Sequence, residues 1–199
     1  MHRHDRRQAH PQPAKPDEAR VTGADASGPP PGRLRIATAT RAEASTVLDL
    51  IRGLAQFERL SNACVATEDD LVRELFSGRA AAEVILARED GEVVGFALFF
   101  HNFSTFLGRK GLYLEDLFIL PAFRRRGYGR ALLVYLARLA VERECGRFEW
   151  SVLDWNAEAI GFYRALGATV LPDWRITRVT GGALAALAAQ PMLRDGTNE

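Results

Sequence analysis

The sequence predicts a mixed α/β fold, in which helices flank a central sheet. Three observations support this prediction. From residue 34 onward, short apolar runs typical of strands alternate with longer runs that have helical spacing. An Asp-Gly pair at residues 90–91 joins two strand-like runs as a hairpin, which makes the first part of the sheet antiparallel. Later strand-like runs are separated by helices, as in a parallel crossover.

The first elements can be assigned one by one. A short apolar run predicts an opening strand over residues 34–39, and apolar residues at helical spacing predict a helix over residues 41–57. A second helix is predicted to begin after Thr67, because its hydroxyl can cap the helix and three acidic residues follow in the first turn. This helix is predicted to end near Gly78.

The remaining elements complete the order β-α-α-β-β-β-α-β-α-β. Strands are predicted over residues 83–88, 93–103, 112–120, 147–153 and 175–179. Helices are predicted over residues 127–143 and 156–166, the second closed by Gly167, and a weak helix over residues 183–189.

The first 32 residues differ in composition from the rest. They contain six of the nine prolines, three of the four histidines and almost no large apolar residues. Such a segment cannot bury enough surface to offset the entropy lost on ordering. We therefore expect a disordered extension over residues 1–32, one folded domain over residues 33–180 and a C-terminal extension over residues 181–199.

Charge and cysteine content argue against several classes of protein. The 26 Lys and Arg residues are balanced by 25 Asp and Glu residues, which is unlike a nucleic-acid binder. We find no apolar run long enough to span a bilayer and no secretory signal. Cys64 and Cys145 are too few for a disulfide framework or a zinc site. We expect a cytoplasmic protein that binds no membrane, nucleic acid or metal.

The segment at residues 124–129 carries the most chemical information. It reads Arg124, Arg125, Arg126, Gly127, Tyr128, Gly129 and lies between a predicted strand and a predicted helix. The first N–H groups of a helix lack intrahelical partners and lie at the positive end of its dipole. The glycines remove Cβ atoms that would keep an anion away, so the segment predicts a pyrophosphate cradle. The dinucleotide and Walker patterns are both absent.

Three motifs resemble those of the GCN5-related N-acetyltransferases, the GNAT family. Arg-x-x-Gly-x-Gly at residues 124–129 matches the acetyl-CoA loop of that family. Leu-Glu-Asp-Leu-Phe at residues 114–118, and Trp-Asn at 155–156 with Phe-Tyr at 162–163, resemble the diamine (spermidine/spermine) and thialysine N-acetyltransferases. The resemblance covers residues 33–180. It implies the GNAT fold with splayed parallel strands, acetyl-CoA as acetyl donor, and a homodimer.

Acetyl transfer to an amine makes specific demands on the site. An alkyl amine has a pKa near 10.4, so only about one molecule in a few thousand is neutral at pH 7. The site must therefore bind a cation and accept its proton, which requires carboxylates. Glu115 and Asp116 are adjacent on a strand and face opposite sides. The family pattern favours Glu115 as the cleft residue that takes the proton, and an edge-strand salt bridge is the alternative.

Tyr163 and Asn156 are predicted to form the other wall of the cleft. They lie seven residues apart, on one face of the same helix. Asn156 can cap that helix, and the resemblance implies that it also contacts the cofactor. Tyr163 is predicted to donate a hydrogen bond to the leaving thiolate. Its alternative role is that of a core aromatic residue.

The resemblance also implies the remaining contacts. The predicted cofactor residues are Leu117, Phe118, Ile119, Arg124, Arg125, Arg126, Gly127, Tyr128, Gly129, Asn156 and Tyr163. The predicted substrate residues are Phe57, Glu58, Glu115, Glu149, Trp150 and Ser151. Glu58 is expected to face the distal ammonium of a diamine. Phe57 stands where the group commonly has tyrosine, and this departure leaves the identity of the substrate open.

The sequence therefore predicts an N-acetyltransferase that needs no metal and acts on a primary amine of a small diamine, polyamine or lysine-like molecule. Three alternatives stay open. They are an acetylase of protein N-termini or drug-like amines, a non-catalytic acetyl-CoA-binding module, and a nucleic-acid-associated factor that uses the arginines.

Overall fold

A five-stranded sheet runs through the computed structural model, which describes residues 33–192. Its strands are β1 (Leu34–Thr38), β2 (Glu83–Glu89), β3 (Glu92–Ser104), β4 (Arg109–Ile119) and β5 (Phe148–Trp150), side by side in sequence order. The first four pair antiparallel, and β5 runs parallel to β4. The predicted mixed sheet is confirmed. The predicted extension over residues 1–32 lies outside the described residues.

The described residues form five α-helices. These are α1 (Ala44–Phe57), α2 (Glu68–Leu75), α3 (Tyr128–Glu142), α4 (Ala157–Ala165) and α5 (Gly181–Ala188). The predicted start of α2 is confirmed, because the Thr67 hydroxyl accepts from the Asp70 N–H and the Asp70 carboxylate accepts from the Thr67 N–H. This reciprocal capping satisfies two N–H groups at the helix start.

Apolar side chains pack on both faces of the sheet. On β2, Val84 and Leu86 belong to a cluster that includes buried residues of α1 and α2, while Ile85 and Ala87 belong to a cluster that includes those of α3. Adjacent strand residues point to opposite faces, so a strand buried on both sides must be apolar throughout. The two helical layers thus hold β2 to β4 rigidly between them.

Two predicted strands differ from the structure. The strand predicted over residues 147–153 is only Phe148–Trp150, and residues 175–179 form no strand, with Ile176 and Val179 exposed. A local apolar pattern favours an extended backbone, but a strand also needs a neighbour to complete its hydrogen bonds. Neither segment has such a neighbour along its full predicted length within residues 33–192. The weak helix predicted near residue 183 is present as α5.

Candidate active site

The two parallel strands separate near the middle of β4. β5 pairs with β4 only at residues 112–114, whereas β4 continues to Ile119. On that side, residues 115–119 have no strand partner in the described part of the chain. Unpaired backbone groups at a strand edge are available to a ligand. The gap is the splay that the family resemblance implied.

A β-bulge at Glu115 determines which β4 side chains face which layer. Two consecutive residues of β3 pair with Leu114 and Asp116, so Glu115 is the extra residue. Leu114 packs in the cluster beside α3, but Phe118 packs in the cluster beside α1. Asp116 is two residues before Phe118 and faces the α1 side with it. Glu115 itself is exposed.

An acidic cavity of about 510 Å³ lies between α1, α2 and β4. The residues that line it include Ile51, Leu54, Ala55, Glu58, Leu60 and Asp116. Glu58 caps the C-terminus of α1, where Arg59 takes a left-handed backbone conformation (φ 63°) and the Leu60 N–H donates to the Ala55 C=O. This is a Schellman turn with arginine in the place that glycine usually occupies.

Three carboxylates line this cavity. Asp70 is already held by Thr67 and Arg73, whereas the other two, Glu58 and Asp116, lie close enough to affect each other's charge. Burial raises the pKa of Asp116 to about 6, and repulsion from Glu115 and Glu58 adds to the effect. Burial also raises the pKa of Glu58. Within residues 33–192, neither carboxylate has an ion-pair or hydrogen-bond partner. Partly buried carboxylates without partners favour a bound cation, which would lower the pKa of both.

The loop between β4 and α3 gathers backbone N–H groups at the start of α3. Gly127 precedes the helix in a left-handed conformation (φ 82°), Arg125 is also left-handed (φ 61°), and no side chain caps the helix. A Cβ added to Gly127 would meet nothing within 4 Å, and one added to Gly129 would meet only side chains, at 3.8 Å or more. This combination of unpaired donors and open space fits the diphosphate of acetyl-CoA.

The three predicted cofactor arginines have different neighbours. Nε of Arg124 donates to a β4 carbonyl at 3.0 Å, and its guanidinium lies 4.4 Å from the ring centre of Phe57. Arg126 pairs with Glu89 at 2.7 Å. Arg125 is exposed and pairs with no described residue. Of the three guanidinium groups, that of Arg125 is therefore the one left uncommitted for an incoming diphosphate.

Four other predicted cofactor residues contribute their side chains to the core. Phe118 and Ile119 are buried in opposite clusters, Leu117 packs beside Ile119, and the ring of Tyr128 is buried with its hydroxyl bonded to Glu89. For Leu117, Phe118 and Ile119, the groups that face the gap are those of the backbone. A cofactor in the gap would therefore pair with this strand edge as another strand would.

Tyr163 lies on α4 and Asn156 directly precedes that helix, across the gap from β4. The Asn156 side chain accepts from the Ala159 N–H at 3.2 Å and so caps the helix as predicted. The Tyr163 ring meets Trp150 edge-on at 5.1 Å between ring centres. Burial, and secondarily Glu58, raise the pKa of Tyr163, so its phenol stays protonated at neutral pH. Its hydroxyl has no hydrogen-bond partner within residues 33–192 and is free to donate.

Aromatic contacts join the elements around the gap. The Phe57 ring, at the end of α1, lies 6.0 Å from the Trp155 ring before α4 and beneath the Arg124 guanidinium. The Arg59 guanidinium lies 5.8 Å from the Trp155 ring centre. This Arg124–Phe57–Trp155–Arg59 stack brings the acidic cavity close to the cofactor loop.

The predicted substrate residues on and after β5 make other contacts. Glu149 accepts from Asn102 at 2.6 Å and pairs with Arg147 at 3.0 Å. Ser151 shares a hydrogen bond of 2.8 Å with Tyr113. Neither Glu149 nor Ser151 is among the residues that line the acidic cavity. Ser151 is thus tied to β4 and Glu149 to β3, and Glu58 is the predicted substrate residue found in the cavity.

Comparison with known proteins identifies the family. The sequence model described as the Acetyltransferase (GNAT) family matches residues 52–168. The chain belongs to this family. The match includes β4, the loop and α4, which carry the candidate site. The resemblance predicted from the motifs is thus confirmed, and with it the acyltransferase class of the protein.

Several curated relatives are acetyltransferases of small amines. The chain is 35% identical to the L-ornithine N5-acetyltransferase of Arabidopsis thaliana, over 78% of this chain and 87% of that protein. It is 33% identical to the thialysine N-epsilon-acetyltransferase of Mus musculus, over 78% of this chain and 98% of that one. Among solved structures, an integron cassette protein of V. cholerae superposes with a TM-score of 0.68 at 27% identity, covering 79% of this chain and 98% of its own.

Asp116 and Trp155 are site residues that the sequence analysis did not assign to cofactor or substrate. The apolar strand around Asp116 was a signal, because a carboxylate within a buried run rarely has a structural purpose. The bulge that turns Asp116 toward the cavity has no local signature in the sequence. The role of Glu115 as proton acceptor stays a prediction.

None of the helices within residues 33–192 is long and apolar enough to cross a membrane. The same residues hold no cluster of three or more His, Cys, Asp or Glu side chains arranged to hold a metal ion.

Proposed function

We propose that the protein transfers the acetyl group of acetyl-CoA to a primary amine of a small molecule that carries a second cationic group, such as a diamine, a polyamine or a lysine-like amino acid. One observation carries this proposal. Asp116 and Glu58, both half-buried and without partners among the described residues, line one cavity beside the β4–β5 gap. A pair of carboxylates matches a dication better than a monoamine.

The relatives support the same substrate class. Two of them are named for acetylation of ornithine and of thialysine, and a third is named as a protein like the spermidine/spermine N(1)-acetyltransferases. Each of these substrates carries at least two amino groups on a flexible chain. Apart from its carboxylates, the cavity is lined largely by apolar residues, which suit the methylene chain of such a molecule.

In this proposal each part of the site has one task. Acetyl-CoA supplies the acetyl group as a thioester, held by the backbone edge of β4 and by the N–H groups at the start of α3. The carboxylates of the cavity bind the ammonium groups, and a carboxylate of β4 accepts the proton that the reacting amine loses. The Tyr163 hydroxyl donates a hydrogen bond to the departing sulfur. The acetamide product has lost its charge and binds the carboxylates less tightly.

Two carboxylates compete for the role of proton acceptor. The family pattern favours Glu115, whereas burial and a pKa of about 6 favour Asp116. The Glu115→Gln and Asp116→Asn variants separate them in a pH–rate series. The variant that has lost the acceptor depends on amine that is already neutral, so its rate rises toward pH 9–10. The other variant keeps the wild-type pH dependence.

The substrate class is tested with a matched pair of amines. We expect kcat/KM for 1,4-diaminobutane to exceed that for butylamine at least tenfold, because one additional charge-assisted contact contributes about 1.5–3 kcal/mol. Product is quantified by mass spectrometry. The Glu58→Gln variant should reduce this preference. Equal rates with both amines would contradict the proposed class, and CoA binding without transfer to ornithine, lysine analogues or diamines would indicate a non-catalytic module.

We also propose that residues 33–180 are the catalytic unit and that the protein is a cytoplasmic homodimer. The order of the motifs and the family resemblance support this assignment. Sedimentation and activity assays of the full chain and of a chain limited to residues 33–180 test the bounds of the unit and the dimer. Both are expected to be dimeric and equally active.

A further inference from the structure

Glu89 stands out among the charged residues of the described chain. It is the last residue of β2, and only 8% of its surface is exposed. No other charged residue within residues 33–192 is buried. Burying a carboxylate costs free energy unless strong partners compensate it. Arg126 donates to one carboxylate oxygen at 2.7 Å, and the Tyr128 hydroxyl donates to the other.

Arg126 and the Tyr128 hydroxyl, which both donate to Glu89, belong to the cofactor loop. Arg126 and Tyr128 stand immediately before and after Gly127, the left-handed residue that precedes α3. One carboxylate thus holds the chain on both sides of the turn that directs the free N–H groups of the helix start. A backbone fixed at both flanks cannot rotate those N–H groups away from a common target.

The charges around the loop between β4 and α3 are consistent with a turn that Glu89 holds in place. Glu89 compensates the charge of Arg126 and leaves Arg125 exposed and uncommitted beside Gly127. The hydrogen bond from Tyr128 is maintained at neutral pH, because burial and the neighbouring Glu89 raise the pKa of the Tyr128 phenol. A fixed turn and one available guanidinium suit an anion of defined shape, such as a diphosphate.

A second ion pair joins β2 to α3 away from the cofactor loop. Glu83 is the first residue of β2 and forms a two-pronged pair with Arg143, which caps the C-terminal end of α3. β2 therefore holds both ends of α3 through a glutamate–arginine pair. Only the pair at the N-terminal end adjoins the loop, so the Glu83 pair is a matched control.

We propose that Glu89 is a positioning residue that fixes the turn around Gly127 for the diphosphate of acetyl-CoA. Glu89 acts through Arg126 and Tyr128, without contacting the acetyl group or the amine. This inference rests on the proposed function, because the loop must be the acetyl-CoA site. It goes beyond that function by assigning cofactor recognition to a residue of β2, which the sequence motifs of the family do not include.

The test compares Glu89→Gln with Glu83→Gln in the full chain. Calorimetric titration with CoA should show a Kd at least tenfold higher for Glu89→Gln and within twofold of wild type for Glu83→Gln. In Glu89→Gln, the KM for acetyl-CoA should rise by the same factor as the Kd for CoA. Its kcat at saturation and its KM for the amine should stay within threefold of the wild-type values. With S-acetylpantetheine, which lacks the diphosphate, kcat/KM of Glu89→Gln should equal that of wild type.

The outcomes separate the inference from the proposed function. If the wild type itself does not bind CoA, the proposed function fails and the inference with it. If the wild type binds and Glu89→Gln binds equally well, or if Glu89→Gln loses activity equally with S-acetylpantetheine, the inference alone is overturned. Should Glu89→Gln not fold, Tyr128→Phe decides, because it keeps the buried ring and removes one bond to Glu89. At least a threefold rise in its Kd for CoA supports the inference, and an unchanged Kd overturns it.

Discussion

Replacing Asp116 by asparagine is expected to stabilise the protein above pH 7 and to impair it as an enzyme. The Asp116 carboxyl has a pKa of about 6 in the folded protein, against an ordinary value of 3.8, because burial and two neighbouring carboxylates disfavour its charge. Each tenfold difference in proton affinity corresponds to about 1.4 kcal/mol. The ionised side chain therefore costs about 3 kcal/mol of folding free energy above pH 7.

The sign of the pH dependence follows from the raised pKa. Below about pH 3 the carboxyl is protonated in both the folded and the unfolded chain, and its contribution to stability is intact. As the pH rises through 6, the unfolded chain has already released this proton and the folded chain must do so at a cost. The advantage of Asp116→Asn over wild type should therefore grow from near zero at about pH 3 to about 3 kcal/mol at pH 7.5.

Urea unfolding at several pH values measures this difference directly. Asp49→Asn is a matched control, because Asp49 lies on the exposed side of α1 with its side chain 77% accessible and 3.6 Å from Arg52. Its effect should stay within about 0.5 kcal/mol at every pH. A difference for Asp116→Asn that does not change with pH, or a loss of stability at pH 7.5, would refute the reasoning.

Further predictions concern the cofactor side of the site and the first residues of the chain. Tyr163→Phe should lower kcat about 10- to 1,000-fold with little change in either KM, measured by steady-state kinetics, and a wild-type kcat would assign Tyr163 to packing alone. Gly129→Ala should raise the free energy of unfolding by about 0.5–1 kcal/mol, since a helical glycine is replaced and its Cβ meets no close atom. Gly129→Val should weaken CoA binding in calorimetry by about 1.5–3 kcal/mol, and unchanged binding in a folded variant would place the diphosphate elsewhere. Deleting residues 1–32 should leave kcat and Tm unchanged, and a tenfold loss of kcat would show that this segment contributes to the site.

Periodicity and turn chemistry predict those parts of the fold that depend on neighbouring residues. The capping of α2 by Thr67 and the hairpin at Asp90-Gly91 follow from a few adjacent side chains, and both are present. The length of β5 does not follow in this way, because it depends on where β4 turns away from it. Residues 175–179 are extended in pattern but lack a strand beside them in the described chain.

In the site, too, some features follow from adjacent residues in the sequence, whereas others depend on residues that are distant in the chain. The glycines of the loop and the cap at Asn156 are visible in the sequence, since backbone conformation and capping require particular residue types at fixed positions. The orientation of Asp116 depends on a bulge, and the commitment of Arg126 depends on Glu89, 37 residues earlier in the chain. Pairings between distant residues of this kind are decided by the folded chain as a whole.

The short pairing between β4 and β5 has a consequence for how the molecule opens. Within residues 33–192, strand pairing joins β5 to the sheet at three residue pairs, whereas β3 and β4 are paired along most of their length. Local unfolding requires least free energy where the fewest backbone hydrogen bonds and apolar contacts must break. Amide hydrogens of β5 and α4 should therefore exchange with solvent sooner than those of β2 to β4. β5 and α4, which carries Tyr163, would then separate together from β4, while the antiparallel strands keep the acidic cavity intact.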